Sequence, residues 1–130
     1  RAGAPSAARD VAGFVTASVS DDPREAIDAN KMFLAYIFRN VHHAENIRLG
    51  GGRVDQEALA AAVGRRDWET AKKLISDDVV RAHSVAGTPE ECRRQLEAFR
   101  AGGLQLPVLL PMGTQAARKR LLQSVREMTA

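Results

Sequence analysis

The sequence predicts an α/β fold in which parallel strands alternate with helices. Three observations carry this. Val11 to Val19 (VAGFVTASV) is rich in β-branched and small residues and reads as a strand. Leu106 to Leu110 (LPVLL) is a short continuous apolar run, the pattern of a strand buried on both faces. Just before it, a strongly anchored helix ends in Gly102-Gly103. Helix into buried strand through a short glycine link is the second half of a βαβ unit.

The elements follow in chain order. Residues 1–9 are small and polar and are expected to be loose. After the first strand, Asp22 caps a helix, Pro23 opens it and Glu25 completes a capping box. That helix should run to about Arg39. Ala26, Ile27, Phe33, Leu34, Ile37 and Phe38 give it an apolar band wide enough to be covered on more than one side. Val41 to Arg53 breaks the pattern with a histidine pair and a triple glycine, expected to be a flexible link. Asp55 then caps a short helix to about Val63, and Asp67 caps another from Trp68 to about Ile75. Asp77 to Val80 adds a further turn. Val85 and Ala86 are extended but short, a third candidate strand.

Thr88, Pro89 and Glu91 make the strongest helix start in the chain, a capping box with proline at the first helical position. Cys92, Leu96 and Phe99 share its buried face. The last helix spans about Gln115 to Met128. Ala117, Leu121, Val125 and Met128 form its expected apolar stripe, opposite Arg118, Lys119, Arg120 and Arg126.

Composition bounds the function. The chain has 130 residues, 45% hydrophobic and 27% charged, enough for one packed domain with a polar surface. A net charge of +3 is a mild excess, short of a nucleic-acid footprint. The basic helix lacks interleaved aromatic residues. The Asp55–Ile75 helix pair carries Asp67 and Glu69 where a phosphate backbone would have to approach. No nucleic-acid partner is expected. No run of about 18 apolar residues suggests a membrane span. A single cysteine points to a reducing, cytoplasmic setting. The start Arg-Ala-Gly-Ala-Pro is expected of a processed chain or of a piece of a longer one.

Ala82-His83-Ser84-Val85-Ala86-Gly87-Thr88-Pro89-Glu90-Glu91-Cys92, then Leu96, Ala98, Ala101-Gly102-Gly103 and LPVLLP, resemble the C-terminal end of the luciferase-like monooxygenase superfamily. VAGFVTASVSDDPREAIDANK resembles that family's penultimate barrel strand and following helix. The resemblance runs from about Asp10 onward. It implies a (β/α)8 barrel of which this chain, residues 10–130, is the C-terminal part. Val11–Val19 and Pro107–Leu110 would be the last two strands, joined through extra helices, with His83–Ala86 only a lead-in. It implies an oxidoreductase, reductase or monooxygenase, using FMN or coenzyme F-420 on a small-molecule substrate. The first six strands would lie outside this chain, so it is not expected to hold the cofactor tightly or to turn over alone. The alternative is a non-catalytic barrel remnant that self-associates through unpaired strand edges, and a homo-oligomer is an expected partner.

Several residues invite a functional reading. Gly87-Thr88 at a helix N-terminus offers free N–H groups to an anion and is the candidate cofactor contact, against plain capping by Glu91. His42, His43 and Asn46 are candidate pocket-lining residues, against a plain helix end. His42 and Glu45 stand three apart, but two ligands do not make a metal site, and none is expected. Gly50-Gly51-Gly52 lacks the lysine and spacing of a phosphate loop. Cys92 reads as a buried inert thiol. Trp68 reads as a packing residue. No catalytic residue can be named from the sequence.

Overall fold

The computed structural model describes residues 11–129. The loose segment expected over residues 1–9 falls outside them. Three strands, β1 (Ala12–Val19), β2 (Ser84–Gly87) and β3 (Leu106–Pro111), form a parallel sheet in the order β2-β1-β3. Between β1 and β2 run α1 (Pro23–Phe38), a tight turn at Val41–His43, α2 (Ala44–Leu49), α3 (Gln56–Gly64), α4 (Trp68–Lys73) and α5 (Asp77–His83). Helix α6 (Pro89–Ala101) connects β2 to β3, and α7 (Gln115–Thr129) follows.

The two strands expected to be neighbours are parallel neighbours, with Ala12 opposite Leu106 and Ala17 opposite Pro111. The segment read as a lead-in is itself a strand. Ser84 to Gly87 pairs with Thr16 to Val19 on the other side of β1. The chain therefore leaves β1 in one direction and later crosses back over it. Crossovers of one hand that run in opposite directions place their helices on opposite faces. Val15, Ala17, Val19 and Val85 pack with Cys92, Leu96, Leu121 and Met128 of α6 and α7. Ala86, which points the other way, packs with Ala26, Ile27, Leu34 and the helical excursion.

Several expectations are corrected. β3 is not buried on both faces. Leu106 and Val108 are exposed, as is Phe14 beside them at 76%. Glu25 does not close a capping box on α1. Asp22 caps alone, accepting from the Arg24 amide, while Glu25 accepts from the Ser20 hydroxyl. In α7 the buried stripe contains Ser124 instead of Val125. The Ser124 hydroxyl bonds the Arg120 carbonyl, so burial leaves it satisfied. Within the triple glycine, Gly51 takes φ 77° with open space around it, while Gly50 and Gly52 stand at close approaches. A Cβ on Gly50 would strike the His83 ring at 2.6 Å, and one on Gly52 would strike Val79 at 2.7 Å.

The helical excursion is tied to α1 by Asp77. Arg24 meets its carboxylate through two nitrogens, each at 2.8 Å, and Lys31 reaches it at 2.7 Å. These cations hold the Asp77 carboxyl far below the usual carboxylate range.

Candidate functional site

β1 and β3 end side by side, and a cavity of about 640 Å³ opens where they stop. In open parallel sheets and barrels alike, ligands bind at this carboxyl edge. The floor is Ser18 from β1 with Met112 and Gly113 from the end of β3. One wall is the exposed side of α1, through Ala29, Met32, Phe33 and Tyr36. Their spacing of three to four residues aligns them along one helical stripe. Trp68 and Lys72 of α4 close the far side, and Thr114, Ala117 and Arg118 form the near end. Trp68 also packs against the core of the excursion, so its ring is held from behind. The Arg39 guanidinium lies over the Tyr36 ring at 3.9 Å.

The Ser18 side chain is 1% exposed, and its hydroxyl has no hydrogen-bond partner among the described residues. Gly113 adopts φ 90°, and a Cβ there would press on Ala29 and Ala117 at 3.1 and 3.2 Å. Thr114 caps α7, its hydroxyl accepting from the Ala117 amide. Arg118 donates its Nε–H to the Gly113 carbonyl at 3.1 Å.

The residues singled out from the sequence lie elsewhere. Gly87 and Thr88 sit at the carboxyl edge but outside this cavity. Glu91 reaches back and accepts from the Thr88 amide at 2.8 Å, while the Thr88 hydroxyl accepts from the Glu91 amide. That is the capping arrangement, with the chain's own carboxylate where an anion would sit. His42 and Asn46 are exposed, and His43 lies 5.9 Å from the Phe38 ring. None of the three lines the cavity. Phe38 also meets His83 edge-on at 4.9 Å, and burial pushes the His83 pKa down. Cys92 is fully buried, and loss of hydration pushes its thiol up to about 12, which keeps it protonated and unreactive. Among the described residues no group of three His, Cys, Asp or Glu side chains is placed to hold a metal.

Sequence reasoning missed Ser18, the α1 stripe and Gly113-Thr114. One signal was present. The chain contains strand–Gly–Thr–helix twice, at residues 87–88 and at 113–114.

Comparisons with known proteins agree on a family. The model for luciferase-like monooxygenases matches residues 1–106. A 5,10-methylenetetrahydromethanopterin reductase of Methanopyrus kandleri is 32% identical over 105 residues, which are 80% of this chain and 30% of that protein. The solved structure of a coenzyme F-420-dependent tetrahydromethanopterin reductase from the same organism matches with a TM-score of 0.73 at 27% identity. It covers 90% of this chain and 35% of that one. The chain thus spans about a third of the length of these relatives.

Proposed function

The chain belongs to the luciferase-like monooxygenase family, and on that premise we propose that it is the C-terminal part of a (β/α)8-barrel reductase dependent on coenzyme F-420. β1 and β3 are the last two barrel strands in this reading. The bare sheet face at Phe14, Leu106 and Val108 is then covered by the rest of the barrel. The reading places the protein in the cytoplasm, acting on a small-molecule substrate. Transfer of the F-420 assignment rests on the two reductase relatives.

The observation that carries the reading is the cavity at the ends of β1 and β3. Its residues fit a flat conjugated ring. About 640 Å³ lies within the range of small-molecule sites, roughly 300–1,000 Å³. Phe33, Tyr36 and Trp68 offer aromatic surface, Met32 and Met112 offer sulfur, and Ser18 offers an unpaired hydroxyl. When bound, a deazaflavin or flavin supplies hydride chemistry. The residues of this chain bind and orient. Trp68 and Tyr36 would face the ring, Ser18 would lie at its edge, and the apolar stripe of α1 would exclude water. Gly87-Thr88, His42, His43 and Asn46 lie outside this cavity.

The test uses the natural gene product that contains this chain. F-420 and FMN are titrated separately while cofactor fluorescence is followed, and oxidation of reduced F-420 is assayed with candidate acceptors. Tight F-420 binding, weakened by Trp68→Ala, is the expected result. Preference for FMN would move the assignment to a flavin enzyme. Binding of neither would remove the oxidoreductase reading in favour of a self-associating module.

A further inference from the structure

We propose that His83 is a proton-operated latch: its neutral ring holds the segment 41–53 closed, and uptake of a proton releases that segment. The segment is a separable piece of the excursion. Its two ends are stapled by Gln56, whose side-chain amide donates to the Phe38 and Asn40 carbonyls, each at 2.9 Å. It can therefore open without carrying α1 or α3 with it. Between those ends Val41 and Leu49 are exposed, and Ile47 anchors the segment in the core of the excursion. Gly52 lies against Val79, and Gly50 lies against the His83 ring. Of these contacts only the last involves a titratable group.

The contact at His83 suits a neutral ring. A Cβ on Gly50 would lie 2.6 Å from Nε2, so the backbone of the segment comes down on that nitrogen. Phe38 closes another side, edge-on at 4.9 Å. Nε2 is buried and has no hydrogen-bond partner among the described residues. A neutral nitrogen bears this at modest cost, whereas an imidazolium buried without a partner does not. Burial is also what lowers the ring's pKa.

The surrounding charges do not compensate a cation there. From α1 the ring meets Phe38, which is uncharged, while Arg39 lies over Tyr36. From the turn, His43 shares the Phe38 ring at 5.9 Å and offers no negative charge. From α2, Glu45 is taken by Arg48 at 2.6 Å, and Arg53 at the end of the segment adds only positive charge. On α5 itself Asp78 pairs with Arg81 at 3.4 Å, and Asp77 is held by Arg24 and Lys31. β2 brings the Ser84 hydroxyl, which donates to the Val80 carbonyl. A protonated His83 therefore finds its stabilisation in water, and opening the segment supplies it.

The experiment is hydrogen–deuterium exchange, read by mass spectrometry, on the natural gene product that contains this chain. Amide exchange reports local opening of this kind. Rates at about pH 7.5 and about pH 5.5 are compared after correction for the intrinsic pH dependence of exchange. Residues 44–53 are expected to exchange about tenfold faster at the lower pH, the factor by which protonation of an ordinary hydrated imidazole favours the open form over that interval. Peptides from α1 and α3 should not respond. His83→Gln is expected to abolish the difference, and His42→Gln and His43→Gln to keep it. Gly50→Ala is the second variant. Its methyl group displaces the His83 ring, so the segment should exchange fast at both pH values. The latch is overturned by a wild-type segment that ignores pH, by a His83→Gln segment that still responds, or by a response lost only in His43→Gln. Equal acceleration of α1 and α3, or a Gly50→Ala segment that behaves as the wild type, overturns it as well. The readout needs no ligand, so it stands apart from the F-420 reading.

Discussion

β2 and β3 both run into Gly-Thr and then a helix, yet the two helix starts behave oppositely. At α6 the third helical residue is Glu91, whose carboxylate folds back onto the Thr88 amide. At α7 the third residue is Ala117, and Arg118 follows. The first start is closed by an internal anion and serves stability. The second has no such carboxylate, and its Arg118 turns back to the Gly113 carbonyl. The contrast teaches that Gly-Thr before a helix is only a frame. The side chain one turn later decides how the start is closed.

The largest expected effect tests the closed start. Gly87 has φ 142°, and a Cβ there would overlap the Glu91 carboxylate. Gly87→Ala should cost about 2–4 kcal/mol through backbone strain and loss of the cap. Denaturant midpoints measure it, and a loss below about 1 kcal/mol would mean that the capping box is not the anchor claimed here. Exchanging the third residue sharpens the comparison. Ala117→Glu should close α7, raising stability by about 0.5–1 kcal/mol. Glu91→Ala should open α6, costing about 1 kcal/mol. Unchanged denaturant midpoints in both variants would dissolve the contrast.

Ser18→Ala comes next. It removes an unpaired buried hydroxyl, so the free protein should gain about 1 kcal/mol while ring ligands bind less tightly. A loss of stability would show that the hydroxyl has a partner. The smallest effect is electrostatic. Burial depresses the His83 pKa, so the unfolded chain takes up a proton more readily than the folded one. Stability contributed by neutral His83 is complete above the usual histidine range and declines as pH falls through it. His83→Gln should flatten that part of the stability–pH curve. An identical slope in the variant would remove His83 as the source.

Helix starts were legible because capping is local. Asp22, Asp55, Asp67 and Thr88 all cap as their spacing implies. The inert Cys92 followed from its apolar neighbours at helical spacing. The candidate site was hardly legible. Ser18 reads as one more small strand residue, and nothing local signals that its hydroxyl is buried with no partner among the described residues. Of the α1 stripe only Phe33 reads as core, and Met32 and Tyr36, which carry no signal in the sequence, are exposed at the cavity.

The sequence by itself determined α1, α3, α4, α6 and α7, the two main strands and the family, since caps, periodicity and short motifs act over a few residues; α2, inside the segment that breaks the pattern, was not among them. Only the tertiary structure decided that Ser84–Gly87 is a strand and that β1 lies in the middle of the sheet. It alone decided that the second Gly-Thr lies beside Ser18. Those facts depend on pairings between residues far apart in the chain. Local propensity does not encode them, and packing selects them once the crossovers find their faces.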